Sequence, residues 1–221
     1  KLPPKGGKFR FLASFQWGER KNVVGLVRAF CAAFDGNKDV QLIIKSHVMA
    51  DDTQSQTTIE GGIKQILSSI RLTAKPDIKL LCSIQSAAEM SKLTAACHAG
   101  ISLSHGEGWG LPLWESALAG RPVITPNWSA PAEWLGSDYP FLVRSNLSPV
   151  YGNDSNMRSF FEPGMNWAEP QLDHAIEIMR AVYKDYDSAQ QTAAQKANEL
   201  FAKYNIESCK NSIKLGLPIS V

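Results

Sequence analysis

Cysteine is scarce in this chain and shows no pairing pattern. The 221 residues hold four, Cys31, Cys82, Cys97 and Cys209, widely spaced and without a Cys-x-x-Cys motif. A disulfide framework is not expected, and buried reduced thiols are, since each lies among apolar residues or in a helical pattern. The four histidines (His47, His98, His105, His174) have no ligand spacing with them, so no metal site is expected. Charge of one sign is also lacking: 23 Lys plus Arg against 21 Asp plus Glu leave a net +2. That balance argues against a nucleic-acid platform and against a polybasic membrane-surface protein. Apolar runs are only a few residues long, Leu42-Ile43-Ile44 for example, so no transmembrane segment is expected. The opening KLPPKGGK (1–8) has no hydrophobic core of a signal peptide, which points to a cytoplasmic location. Three Asn-x-Ser triplets, at Asn127, Asn146 and Asn153, carry no weight without such a signal.

What the chain does have is a normal apolar content, 44%, in a strand-then-helix rhythm. Phe9–Ser14 reads as a strand, and 23–34 as a helix with Val23, Leu26, Val27, Phe30 and Phe34 on one stripe. The alternation continues with a strand at 40–45, a helix at 63–70, a strand at 78–82 and a helix at 86–97. A strand at 99–104, a helix at 111–119 and a strand at 122–125 follow. After Val143 the pattern loosens through a polar stretch to Gly164, before two long helices near 171–186 and 188–204. Continuous apolar strands alternating with amphipathic helices imply an α/β, Rossmann-like, doubly wound parallel sheet with C-terminal helices. Such folds bind ligands beyond the carboxyl ends of their strands.

Chemistry collects between Ile101 and Leu135. A strand gives way to the loop His105-Gly-Glu-Gly-Trp-Gly110, with glycine at three alternate positions, and a helix opens near Leu111 with Pro112 suited to its first turn. Gly106, Gly108 and Gly110 let a ligand approach the backbone, and free N–H groups at the helix start favour an anion. The plain alternative is a strand-to-helix turn. The loop is not a G-x-G-x-x-G dinucleotide fingerprint. Glu107 lies within it and Glu115 about one turn into the helix; either complements the helix dipole or accepts hydrogen bonds from sugar or ribose hydroxyls. Trp109 is equally suited to a core or to a sugar-facing wall. A second group, Gln16-Trp-Gly-Glu-Arg-Lys-Asn22, follows the first strand and places Arg20 and Lys21 above the same sheet edge. Two helix starts and two cations converging there fit a diphosphate.

The pattern Phe11-Leu…Glu19-Arg-Lys-Asn22…Ala29-Phe30, then Glu107-Gly-Trp-Gly-Leu-Pro…Glu115…Gly120-Arg-Pro-Val-Ile124, resembles the donor-binding half of retaining GT-B glycosyltransferases. It is similar above all to the large family four (glycosyl transferases group 1). Glu107 and Glu115, with seven residues between them, match that family's E-x7-E signature. Asn127-Trp-Ser-Ala-Pro-Ala-Glu133 and Trp167-Ala-Glu-Pro170 also look like elements of one branch. The resemblance covers residues 9–204. It implies a nucleotide-sugar-binding Rossmann-like domain there, an inter-domain linker remnant at 1–8 and a tail or helix at 205–221.

By resemblance, Arg20 and Lys21 hold the diphosphate of a nucleotide sugar such as UDP-glucose or GDP-mannose. Glu107, Gly106, Gly108, Trp109, Gly110 and Leu111 meet the transferred sugar and phosphates, with Gln16 and His105 beside them. Glu115 binds the ribose and Ile84 sits against the base. The chain departs from many relatives in having Gln16 for an arginine and Phe15 for a glycine. The implied activity is retaining hexosyl transfer without a cofactor or obligatory metal. The acceptor site would lie on an N-terminal domain outside this sequence, so the chain alone would bind donor and transfer nothing. Two rival readings are a non-catalytic nucleotide-sugar or protein-binding module and a glycoside hydrolase using Glu107 and Glu115.

Overall fold

The computed structural model describes residues 7–48, 52–150, 161, 164–208 and 210. Six parallel strands form the main sheet: β1 (Phe9–Gln16), β2 (Val40–His47), β3 (Ile78–Leu81), β4 (Ala99–Ile101), β5 (Val123–Pro126) and β6 (Leu142–Val143). Their spatial order is β3-β2-β1-β4-β5-β6, all parallel. The direction of winding reverses between β1 and β4, and a doubly wound sheet opens its ligand crevice at that place. The expected Rossmann-like α/β architecture is therefore present.

Alternation along each strand divides the core in two. Phe11, Ala13, Leu42, Ile44, Ile101 and Ile124 face α1 (Val23–Phe34), α2 (Asp52–Ser68) and α6 (Leu172–Lys184). On the opposite face a small cluster of Leu12, Ile43 and Cys97 packs on Leu93 of α3 (Ala87–Ala95). A larger one joins α4 (Leu111–Leu118), α5 (Ser129–Leu135) and α7 (Tyr186–Lys203) through Leu113, Val123, Trp134 and Leu200. A continuous apolar strand such as Leu42-Ile43-Ile44 makes sense only when both faces are covered in this way. Cys31 and Cys97 are buried, and burial pushes both thiols up to about 11. Cys209 lies outside the described residues.

The helix over 23–34 falls where its stripe places it, while three other regions differ from expectation. Helix α2 starts at Asp52 rather than at 63, because its first turns are Ser-, Thr- and Gln-rich and only Ile59 among them is a buried aliphatic. Within it Gly62 is a packing feature, since a Cβ there would stand 2.5 Å from the Trp17 ring, whereas a Cβ on Gly61 would meet nothing within 4 Å. Helix α5 occupies a stretch with no periodic signal. The polar region before Gly164 contributes an antiparallel pair, β7 (Ser145–Pro149) and β8 (Asn166–Pro170). Burial in that pair is confined to β8, at Trp167, Ala168 and Pro170, while no residue of β7 is buried, so its sequence shows no apolar run.

Candidate functional site

β1 ends at Gln16, whose side is exposed, and Trp17 N–H then binds the His47 carbonyl at 2.8 Å. A 3-10 turn, Glu19–Lys21, follows, and Asn22 caps α1. Asn22 adopts φ +48, and its Oδ1 accepts the Gly25 N–H at 3.0 Å. Gly25 makes room for that cap, since a Cβ there would meet Asn22 Oδ1 at 2.5 Å. Arg20 and Lys21 thus stand in the turn before the helix, one residue short of its cap.

The loop after β4 reaches across the switch point to the same turn. His105 N–H binds the Arg20 carbonyl at 2.9 Å, and the Arg20 guanidinium donates to the Gly106 carbonyl. Lys21 Nζ lies 2.6 and 2.7 Å from the two oxygens of Glu107, and Arg20 stands 3.5 Å from one of them. Lys21 and Glu107 side chains are only 13% and 12% exposed. Burial pulls the Lys21 ammonium below its ordinary value, and the Glu107 charge opposes that pull. Two cations and a carboxylate that are 86 residues apart in sequence form one charged group at the crevice.

The three loop glycines have different reasons for being glycine. Gly110 has φ +74 as the cap of α4, and a Cβ would lie 3.1 Å from Pro131. Gly108 needs neither: its φ is unexceptional and a Cβ would meet nothing within 4 Å. A Cβ on Gly106 would make only ordinary contact, with Trp128 at 3.8 Å. Of these three, the fold requires Gly110 alone, and Gly106 and Gly108 leave open backbone beside the charged group.

The loop is braced from α5, which the periodic pattern did not reveal. Ser129 Oγ accepts the Glu107 N–H at 3.0 Å, and Trp134 Nε1 donates to the Trp109 carbonyl at 3.0 Å. Ser129 has φ +60; it and Asn22 are the two non-glycine residues at positive φ among the described residues. Asn22 follows Lys21 and Ser129 holds Glu107, so both strained positions support the same ion pair. Nothing in the residue types announces Ser129, because serine carries no preference for the left-handed region.

The remaining expected residues lie on several different elements. His105 is buried, its ring stacked on Trp167 with centroids 4.1 Å apart, and its Nδ1 lies 2.8 Å from the Ala168 carbonyl. It pins β8 to the loop. Glu115 is exposed on α4. Trp109 is exposed and stands edge-on to Trp114 and Tyr204, and Leu111 near it is exposed as well. Ile84 is 77% exposed beyond β3, at the sheet edge two strands from β1. Beside the Glu19–Lys21 turn lies a cavity of about 730 Å³, with Trp17, Val24, Ile66, His105 and Leu172 in its wall. Among the described residues no three His, Cys, Asp or Glu side chains are grouped to hold a metal ion, and no helix is long and apolar enough to cross a membrane.

No protein-family model matches the chain, and no curated protein matches its sequence. Solved structures do resemble it. The C-terminal domain of a glycosyl transferase group 1 family protein from Francisella tularensis superposes with a TM-score of 0.61 at 18% identity, over 93% of this chain and 89% of that one. A UDP-forming α,α-trehalose-phosphate synthase from Burkholderia vietnamiensis gives 0.67 at 11% identity, over 95% of this chain and 44% of that one. Sucrose-phosphate synthase from Thermosynechococcus elongatus gives 0.65 at 15%, over 94% and 44%. The chain therefore spans less than half the length of the two synthases. The likeness fixes the fold as that of the GT-B glycosyltransferase C-terminal domain.

Proposed function

We propose that this chain is the donor-binding domain of a glycosyltransferase that takes a nucleotide sugar and transfers its hexose with retention. The observation that carries this reading is the meeting of Arg20, Lys21 and Glu107 with the open glycine loop at the β1–β4 switch point. In the ligand-free protein Glu107 occupies the two cations. A diphosphate entering over Gly106 and Gly108 takes Lys21 and Arg20 in its place and is met by the backbone amides that open α4. These groups then stabilise the charge that grows on the leaving diphosphate as the glycosidic bond breaks. Glu107, released from Lys21, is free to accept hydrogen bonds from the sugar. Glu115, exposed on α4, accepts them from the ribose hydroxyls, and Ile84 lies under the base. Trp109 and Leu111 form the wall beside the sugar, and Gln16 and His105 border the phosphates. Acceptor binding belongs to a further domain, so the 221-residue chain alone binds donor without transferring sugar.

Calorimetry without added metal tests this. UDP, GDP or ADP binds the domain, and Lys21→Ala removes the binding. Glu115→Ala weakens the nucleotide by about 1.5–3 kcal/mol, the worth of a hydrogen bond to a charged group, and leaves pyrophosphate unchanged. No binding of any of these at millimolar concentration by folded protein sinks the reading.

A further inference from the structure

Trp128 stands two residues beyond β5, on the side of the glycine loop away from Arg20 and Lys21. It is 40% exposed. A lone exposed tryptophan is ordinary, but the backbone here is tied at every step. Asn127 N–H binds the Val143 carbonyl at 2.7 Å and Trp128 N–H binds the Pro126 carbonyl at 2.8 Å. Ser129 follows at φ +60, with its hydroxyl on the Glu107 N–H. The indole is thereby held at one place. A Cβ added to Gly106 would find Nε1 and Cδ1 of Trp128 at 3.8 and 3.9 Å, and beyond its chain neighbours no other atom within 4 Å. That edge of the indole faces the open Cα of Gly106, whose carbonyl takes the Arg20 guanidinium and whose next residue is Glu107. Among the described residues no hydrogen bond and no ring contact engages this indole. Nearby, Trp134 donates to the Trp109 carbonyl and Trp114 packs on three aromatic rings.

The sheet order decides which part of a ligand meets it. Along the carboxyl edge lie Ile84 after β3, Arg20 and Lys21 after β1, Glu107 after β4 and Trp128 after β5. With a base at the β3 end and a diphosphate at the β1–β4 switch point, the group that continues towards β5 is the transferred sugar. A hexose presents C–H faces and a rim of hydroxyl oxygens. An indole offers a flat apolar ring and one N–H that can only donate, so it matches both features of that ring. We infer that Trp128 is a specificity-determining residue for the sugar: its ring packs against the hexose and its Nε1–H donates to a hydroxyl oxygen. This inference rests on the donor-binding reading above. It adds the residue that tells a nucleotide sugar from the bare nucleoside diphosphate.

The experiment is calorimetry of the whole chain against UDP, GDP, UDP-glucose and GDP-mannose, with Trp128→Ala and Trp128→Phe beside the wild type. Trp128→Ala weakens the nucleotide sugar that the wild type binds by about tenfold, through loss of one hydrogen bond and one ring contact. The matching UDP or GDP stays within about twofold of wild type, because no nucleotide contact is touched. Trp128→Phe keeps a ring without the donor and falls between wild type and Trp128→Ala. A residue that only braced the Glu107 loop would weaken both ligands together, since that loop also borders the diphosphate. Nucleotide-sugar affinity unchanged in Trp128→Ala, or a loss shared equally by the bare nucleotide, overturns the inference. So does a wild type that binds UDP or GDP and neither nucleotide sugar. Should Trp128→Ala fail to fold, Trp128→Phe is judged by the same comparison. No binding of UDP or GDP by folded wild type is a separate result, and it overturns the donor-binding reading instead.

Discussion

Lys21 Nζ stands 2.6 Å from Glu107 Oε2 and 2.7 Å from Oε1, so one ammonium spans both oxygens of a carboxylate delivered by a different strand. The pair neutralises the crevice while no ligand is there. Removing the carboxylate charge should release both cations to an incoming anion. Glu107→Gln is expected to bind pyrophosphate several-fold more tightly than wild type, by calorimetry at low salt. The same change costs about 1–3 kcal/mol of stability, because a partly buried ammonium loses its charged partner. Weaker pyrophosphate binding in a folded Glu107→Gln protein would show that the carboxylate organises the cations rather than competes for them.

Two alanine substitutions in one loop should act on different properties. Gly110→Ala meets φ +74 and a 3.1 Å approach to Pro131, so it is expected to lower stability by about 1–2 kcal/mol, the cost of a left-handed residue with a Cβ. Gly108→Ala meets no atom within 4 Å and leaves the denaturation midpoint unchanged. On the proposed donor-binding reading its methyl group would stand beside the diphosphate, so the expected outcome is a lower nucleotide affinity instead. Unfolding in urea and calorimetry on both variants separate the two effects.

Ser129 sits at φ +60 with its hydroxyl on the Glu107 N–H. Left-handed strain of this kind costs about 1–3 kcal/mol and persists where surrounding structure over-determines it. Ser129→Gly removes the strain together with the acceptor. The expected outcome is a thermal midpoint equal to or above wild type with weaker nucleotide binding. Ser129→Asn, which tolerates the left-handed region and keeps a side-chain oxygen, restores part of the affinity. A fall in stability without a change in affinity would make Ser129 a structural residue only.

His98 provides an acid-sensitive contact. Its Nδ1 accepts the Arg10 N–H at 3.0 Å, its ring stacks on Phe9, and burial, with Arg121 and Arg10 nearby, pushes it down to about 4. The unfolded chain protonates this ring near 6.5, so between 6.5 and about 4 the unfolded state binds more protons. Stability from this group is full above that window and is lost as pH falls through it, by about 1–2 kcal/mol for a half-buried ring. His98→Phe keeps the stacking and cannot protonate. Urea midpoints measured from pH 7 to 4 should fall less steeply for this variant than for wild type.

The sequence by itself determined the alternation of strands and helices, the parallel sheet and the segments that meet at its carboxyl edge. Each follows from local rules: a run such as Leu42-Ile43-Ile44 needs cover on both faces, and the stripe of Val23, Leu26, Val27, Phe30 and Phe34 needs a helix. It also marked Arg20, Lys21, Glu107 and the glycine loop, because their residue types are unusual beside strand ends. Only tertiary structure decided that Lys21 and Glu107 neutralise one another, since 86 residues separate them and the β1–β4 reversal brings them together. It alone distinguished Gly110, which the backbone requires, from Gly108, which it does not. It alone placed Ser129 under Glu107. A serine in a left-handed conformation has no periodicity to betray it. Its role depends on what packs around it, and packing is settled by the whole chain.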